Sequence, residues 1–344
     1  MLITDFDYDL PEELIAQQPL GDRDASRMLV LDRKTLSWQD STFRAFAEQL
    51  RPEDVVVVNN SRVIPARLIG KRKESGGRVE VFLVRELSEG VWEALVRPSA
   101  RLRQGSRVVF GQGQLEAEFI DEPGTELRQV RFECEGSFET VLSEVGSTPL
   151  PPYIKRPEGV SLADNERYQT VYSEPRGAIA APTAGLHFTT KILEELQQRK
   201  QLAEITLHVG YGTFEPVRVT EVSDHQVSSE RFEISVETAA RINDARKKGG
   251  RVVAVGTTTT RALESAATEQ GEVIPGKSEA ALTIRPGYHF RAVDALLTNF
   301  HLPQSSLLIL VGAFGGTQFV LEAYRHAVRE RYRFYSYGDC MLIA

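Results

Sequence analysis

Three polar blocks in otherwise apolar sequence carry the side chains that could do chemistry. The first block, AAPTAGLHFT at 180–189, places His187 between Thr183 and Thr189. Histidine suits proton transfer near neutral pH, and Gly185 lets the backbone approach a ligand closely. A helical run follows, so a threonine at its start is the expected N-cap. Taken alone, the block fits a ligand site or a capped helix with a core histidine.

The second block, RVVAVGTTTTRALE at 251–264, has the order of an anion site. Val252–Val255 is an apolar, β-branched run that predicts a buried strand, and Gly256 ends it. Four threonines and Arg261 then open a helix, where free N–H groups, the helix dipole and a guanidinium favour a carboxylate or phosphate. Simple threonine capping is the alternative, but it needs only one or two threonines.

The third block, at 298–316, places Asn299 and His301 just before a nearly all-apolar helix or strand. Upstream, a proline–glycine turn brings Tyr288 and Asp294 into the same region of sequence. Two further blocks of the same polar character make a ligand site the favoured interpretation of all three.

The elements that must position these blocks fall into two patterns. From about residue 62 to 135, short alternating segments are separated by turn residues, which is typical of a small sandwich or barrel. Before and after, helix and strand signals mix. The sequence therefore predicts the mixed α/β class, with a discontinuous α/β catalytic domain at 1–61 and 147–344. A small all-β barrel domain is inserted at 62–146.

Composition excludes several classes of protein. The 344 residues are 41% hydrophobic and 26% charged, which is ordinary for a soluble globular chain. The acidic start lacks the apolar core of a signal peptide, and no stretch reaches the ~18 apolar residues of a membrane helix. The two distant cysteines, Cys134 and Cys340, fit a reduced cytoplasmic protein and cannot hold a usual iron–sulfur cluster. No metal-ligand spacing or dinucleotide-binding glycine motif is visible, so no metal or cofactor is expected.

Together the blocks resemble one family, the S-adenosylmethionine:tRNA ribosyltransferase-isomerases of queuosine biosynthesis. The resemblance runs the full length and includes LPEELIAQ at 10–17, SRML at 26–29, RVIPARL at 62–68, PLPPYI at 149–154, YQTVY at 168–172 and YRFYSYGDCMLI at 332–343. The family usually has aspartate where this chain has Asn60. An amide can keep a hydrogen bond but not a charge, which puts any charge role there in doubt. The resemblance also implies an α/β-barrel-like main domain.

The reaction that the resemblance implies consumes S-adenosylmethionine as a ribosyl donor. The ribosyl group goes to the aminomethyl group of 7-aminomethyl-7-deazaguanine (preQ1) at the tRNA wobble position, and adenine and methionine leave. The ribose rearranges, giving epoxyqueuosine-tRNA. The expected partners are therefore this tRNA and S-adenosylmethionine, with no membrane and no cofactor, for a protein that works as a monomer.

Roles for individual residues follow from this chemistry. A base must remove the acidified proton beside the sulfonium, and the expected catalytic residues are His187 first, with His208 and His301 as rivals. Arg261 with the threonines suits the methionine carboxylate, and Asp294 or Glu215 suits the ribose hydroxyls. The expected S-adenosylmethionine-binding residues are Thr257, Thr258, Thr259, Arg261, Asp294, Asn299 and Tyr288. The expected tRNA- or base-binding residues are Arg62, Arg67, Tyr211 and Phe300.

Two other functions stay open. A non-catalytic RNA-binding protein would place basic and aromatic residues on the barrel strands. Residues 62–110 do hold eleven basic against five acidic residues, although aromatics are few and the whole chain carries a net charge of −7. A ribosyl hydrolase would need paired carboxylates in the polar blocks, where histidine and threonine dominate instead.

Overall fold

The structure, a computed structural model, describes residues 1–157, 159–214 and 217–344. Its strands are β1 (Arg27–Asp32), β2 (Ser37–Thr42), β3 (Val55–Asn59), β4 (Arg62–Val63), β5 (Arg67–Arg72), β6 (Arg78–Ser88), β7 (Val91–Arg97), β8 (Arg107–Phe110), β9 (Leu115–Phe119), β10 (Leu127–Cys134), β11 (Gly146–Ser147), β12 (Arg176–Ala178), β13 (Leu202–Leu207), β14 (Glu230–Ile234), β15 (Val252–Val255), β16 (Gly276–Ala280), β17 (Ala295–Asn299) and β18 (Cys340–Ile343). Its α-helices are α1 (Phe138–Val145), α2 (Leu162–Arg167), α3 (Thr190–Gln198), α4 (Val236–Lys247), α5 (Thr257–Ala266), α6 (Ser306–Gly315) and α7 (Thr317–Arg329).

Nine strands form one large sheet, in the order β16-β14-β13-β3-β15-β17-β18-β1-β2. The central strands β13, β3, β15 and β17 run parallel to one another. β3 and β15 are buried along their whole length, as expected for valine-rich parallel strands covered on both faces. Because the four strands are parallel, their carboxyl ends meet at one edge of the sheet. In open parallel sheets this is the edge where ligands bind.

A second sheet closes into a six-stranded antiparallel barrel, in the order β5-β6-β7-β10-β9-β8, with β8 paired back to β5. Buried and more exposed residues alternate along its strands, so the barrel has a core of its own. The mixed α/β class with an antiparallel barrel is confirmed. The large sheet is open in the described ranges, with β16 and β2 as its edge strands.

A short strand outside the barrel precedes the first barrel strand. β4 pairs with β12 in a separate two-stranded sheet, and β5 starts at Arg67, within the segment 62–146 predicted as the inserted domain. On the return side, β11 pairs with β5 after α1. The sequence between residues 62 and 67 does not indicate which sheet each of these short strands joins.

No single helix in the described ranges is long and apolar enough to cross a membrane. α6 and α7 meet the length and composition criteria only as a pair, and the chain bends by 114° between them. Most residues of α6 are buried inside the protein.

Candidate functional site

A cavity of about 530 Å³ lies at the carboxyl ends of the central parallel strands. Gly256 and Thr257 after β15, and Asn299 and His301 around the end of β17, contribute to its wall. The 180–184 segment of the first polar block adds a further side. All three blocks that the sequence singled out therefore reach the same cavity.

The start of α5 supplies unused hydrogen-bond donors to this cavity. Gly256 has φ +91° and ψ 155°, a conformation that strongly favours glycine, and its N–H donates to the Leu297 carbonyl of β17. Glycine offers no side-chain cap, so the first N–H groups of the helix have no helical partner. Thr257 and Thr258 line the cavity, and neither hydroxyl hydrogen-bonds to another described residue. This helix end can accept an anion.

Arg261, expected to bind a carboxylate, lines the cavity and donates four hydrogen bonds to protein. Its Nη1 donates to Glu230 Oε2 at 2.7 Å, and its other nitrogens donate to backbone carbonyls at 2.6–3.2 Å. The side chains of both residues are almost completely buried. Burial raises the pKa of Glu230, opposed by the Arg261 charge and by the Gly210 amide. Because four of its five N–H groups donate to protein, the guanidinium braces the cavity wall, and its contact with a ligand carboxylate stays a prediction.

Thr259, also expected to bind S-adenosylmethionine, does not line the cavity. Its hydroxyl donates to the Val255 carbonyl at 2.7 Å, and the side chain is fully buried away from the cavity. Since α5 starts at Thr257, only the first two threonines reach the open end of the helix.

His187 lies behind the cavity wall rather than in the wall itself. Nδ1 is 2.7 Å from Ser26 Oγ, and Nε2 is 3.2 Å from Asn299 Nδ2. Burial, with smaller effects from Arg23 and Arg333, lowers the pKa of His187 to about 3. A neutral imidazole with both nitrogens engaged by protein does not fit the direct proton transfer predicted for it.

Two other histidines do line the cavity. His301 is buried, and Nε2 is 2.8 Å from Thr298 Oγ1; burial lowers its pKa to about 3. His225 is half-buried, and Nε2 is 2.8 Å from Ser306 Oγ; burial, then the Arg285 charge, lowers its pKa. Sequence reasoning missed His225 because it sits in a polar loop segment, EVSDHQ, that carries no motif.

The third expected catalytic residue, His208, lies outside the cavity. It follows β13 and approaches Gly177, where a Cβ would lie 2.8 Å from Nδ1. Nδ1 is buried and has no hydrogen-bond partner among the described residues. Burial, and then Arg231, lowers the pKa of His208.

Three expected ligand contacts are not at the cavity. Asp294 precedes β17, and its Oδ2 accepts from Val252 N at 2.9 Å, so it lies at the opposite edge of the sheet. The Tyr288 hydroxyl donates to Glu264 at 2.9 Å. Phe300 is fully buried in an aromatic cluster formed by Tyr324, Tyr332 and Phe334. These three residues are close to the cavity residues in sequence but do not line the cavity.

The residues expected to contact tRNA or its base are spread out. Arg67 pairs with Glu80 at 3.1 Å on the barrel surface. Arg62 is exposed and lines a separate surface groove. The Tyr211 ring packs edge-on against Phe82 of β6, at the junction with the barrel. Glu215 lies outside the described residues.

Asn60 has a local structural partner. Its Nδ2 donates to Glu204 Oε2 at 3.1 Å, and its Oδ1 accepts from Thr206 Oγ1 at 2.8 Å. An aspartate at this position would put a second carboxylate against Glu204. The amide is therefore matched to its neighbour on β13.

Some basic side chains on the barrel are paired with acids on neighbouring strands. Lys73 and Arg107 share Glu116 at 2.8 and 2.9 Å, and Arg85 contacts Glu93 at 2.8 Å. Of the eleven basic residues at 62–110, these three and Arg67 form ion pairs among the described residues, so pairing offsets part of the positive charge of this segment.

Known proteins of one family are similar to this chain over nearly its whole length. A family model described as queuosine biosynthesis protein matches residues 3–343. Two proteins named S-adenosylmethionine:tRNA ribosyltransferase-isomerase, from Trichlorobacter lovleyi and Syntrophotalea carbinolica, are 50% and 51% identical to this chain over 100% of both lengths. A crystal structure of S-adenosylmethionine tRNA ribosyltransferase from Thermotoga maritima is 37% identical, with a TM-score of 0.54, and covers 99% of this chain and 100% of that one.

Proposed function

The chain belongs to the family of S-adenosylmethionine:tRNA ribosyltransferase-isomerases, transferases of queuosine biosynthesis, and we propose that the cavity at the carboxyl edge of the large sheet is where it carries out this reaction. The observation that supports this location is the convergence of three polar sequence blocks on one concave site. A volume of about 530 Å³ falls within the range of small-molecule sites.

The start of α5 is the proposed position of the methionine carboxylate. Its unpartnered N–H groups and the hydroxyls of Thr257 and Thr258 provide donors, and the helix dipole favours negative charge. Arg261 contributes indirectly, because its pairing with Glu230 fixes the neighbouring wall.

His225 is the proposed proton-transfer group. It lines the cavity, remains partly accessible, and holds a hydrogen bond to Ser306. A lowered pKa leaves the imidazole neutral at pH 7, as a base for the proton beside the sulfonium must be. His301 is the second cavity histidine, but its deeper burial makes it harder to protonate.

The finer substrate is proposed from the family. The acceptor is the aminomethyl group of 7-aminomethyl-7-deazaguanine at the tRNA wobble position, and the product is epoxyqueuosine-tRNA. We further propose that the enzyme acts in the cytoplasm as a monomer and needs no cofactor beyond the consumed S-adenosylmethionine.

The test is a single-turnover assay with S-adenosylmethionine and tRNA that carries the aminomethyl-deazaguanine. Free adenine and a heavier wobble nucleoside should appear together, and tRNA with guanine at that position should give neither. Adenine without a modified nucleoside would indicate a ribosyl hydrolase instead. Absence of both products would contradict the proposed function.

The same assay tests His225. His225→Gln should lower the single-turnover rate by roughly 10²-fold or more, because an amide cannot relay the proton. The control is His326→Gln, at a histidine that bonds Asp40 of β2 and does not line the cavity. An unchanged rate in His225→Gln would remove His225 from the chemical step.

A further inference from the structure

The orientation of the Asn299 amide is fixed by its surroundings. One end of the side chain faces the backbone carbonyls of Tyr335 and Asp339, at 3.1 and 3.4 Å. Carbonyl oxygens only accept hydrogen bonds, so the atom facing them must be the amino nitrogen Nδ2. The amide oxygen Oδ1 must therefore point the other way.

Oδ1 is left without a partner. Asn299 is only 2% exposed, and Oδ1 is buried with no hydrogen bond to any described residue. Asn299 lines the cavity beside the start of α5. A buried amide oxygen without a donor is unfavourable by itself, so its position indicates a donor supplied by the ligand.

The third contact of Nδ2 determines the state of His187. Nδ2 has two hydrogens for three acceptors, so one hydrogen is shared, and the longest contact, to the Asp339 carbonyl, is the weakest. Since an amino group can only donate to Nε2 at 3.2 Å, Nε2 is unprotonated and the ring proton sits on Nδ1. Nδ1–H then donates to Ser26 Oγ at 2.7 Å, and that hydroxyl donates onward to the Arg23 carbonyl. Protonation of Nε2 would set an N–H against the Asn299 amino group.

We propose that Asn299 binds S-adenosylmethionine by accepting a hydrogen bond at Oδ1 from a ribose hydroxyl or an amino group, and that His187 is a positioning residue that acts only through Asn299. This rests on the proposed function, because the cavity must be the S-adenosylmethionine site. The histidine of the first polar block thus serves binding rather than proton transfer.

A double-mutant cycle tests the proposal in the intact enzyme. Asn299→Ala should raise KM for S-adenosylmethionine roughly ten- to hundredfold and leave KM for tRNA nearly unchanged. His187→Leu should raise the same KM about fivefold, with a smaller effect on kcat. The double variant should match Asn299→Ala alone, because His187 has no effect without the amide that it orients.

His187→Gln is the rescue variant, since its Oε1 can accept from Asn299 Nδ2. Its KM for S-adenosylmethionine should return to within about threefold of the wild-type value. Thermal unfolding and tRNA affinity report whether each variant is folded. This makes a loss caused by misfolding separable from a loss of binding.

Two outcomes would overturn the inference. Independent effects of the two substitutions on KM would show that His187 does not act through Asn299. A loss of ~10²-fold in the single-turnover rate of His187→Gln at saturating S-adenosylmethionine would make His187 the proton-transfer group. If the wild-type enzyme releases no adenine, the proposed function fails instead.

Discussion

At the scale of single residues, the buried pair of Arg261 and Glu230 determines how much stability is lost when the cavity wall is mutated. Removing one partner leaves a buried charge uncompensated, which costs about 3–5 kcal/mol. Arg261→Ala should therefore lower the free energy of unfolding by that amount, measured by urea titration at pH 7. If this variant loses S-adenosylmethionine binding, the reason should be that the site unfolds, and not that a direct contact with the ligand is gone.

The matched control changes both members of the pair. Arg261→Met combined with Glu230→Gln removes both charges and keeps most of the side-chain volume. It should be clearly more stable than Arg261→Ala. A single variant that loses less than about 1 kcal/mol would show that the pair is weaker than its burial indicates.

At the scale of elements, two adjacent threonines of helix α5 have different roles: one is placed to bind the ligand and the other stabilises the fold. Thr258 lines the cavity with an unbonded hydroxyl, whereas the Thr259 hydroxyl bonds Val255 inside the protein. Thr258→Val should weaken S-adenosylmethionine binding about five- to tenfold, the effect of one lost hydrogen bond. Isothermal titration calorimetry gives the dissociation constant directly.

Thr259→Val is the control for this prediction. It removes a hydroxyl of the same kind one position along the helix, but that hydroxyl bonds only protein. Its dissociation constant should stay within about twofold of the wild type, while the free energy of unfolding falls by about 1 kcal/mol. Equal weakening in both variants would mean that the helix end does not contact the ligand.

At the scale of the whole molecule, buried histidines tie stability to pH. Burial lowers the pKa of both His187 and His301 to about 3, against an ordinary value near 6.5 in the unfolded chain. Below about pH 6.5 these two histidines are protonated in the unfolded chain but stay neutral in the folded protein. Stability should therefore fall as pH drops from about 6.5 towards 3, by about 1.4 kcal/mol per pH unit for each histidine.

Urea unfolding at pH 7 and pH 5 measures this loss. In His187→Gln one of the two groups no longer titrates, so the loss should shrink by roughly 2 kcal/mol, which is about 1.4 kcal/mol per pH unit between pH 6.5 and pH 5. An identical pH dependence in the variant would mean that His187 takes up its proton in the folded state.

How far the sequence reached also depends on scale. The alternating strands of the barrel and the apolar runs of β3 and β15 are local patterns, and they predicted those elements. The positions of the predicted site residues depended on partners that are distant in sequence. Glu230, which pairs with Arg261, belongs to the distant strand β14. Asp294 lies at the amino end of β17, whereas Asn299 lies at its carboxyl end, where the cavity is. Strand direction and pairing are decided by the whole fold.

The two ends of the barrel segment lie side by side. Leu68, in the first barrel strand, is the register partner of Gly146, and a Cβ on Gly146 would strike the Pro65 carbonyl. Paired strands are about 5 Å apart, so the chain enters and leaves the barrel at neighbouring positions. The segment between them adds a second hydrophobic core, while β3 before it and β13 after it stay paired in the large sheet.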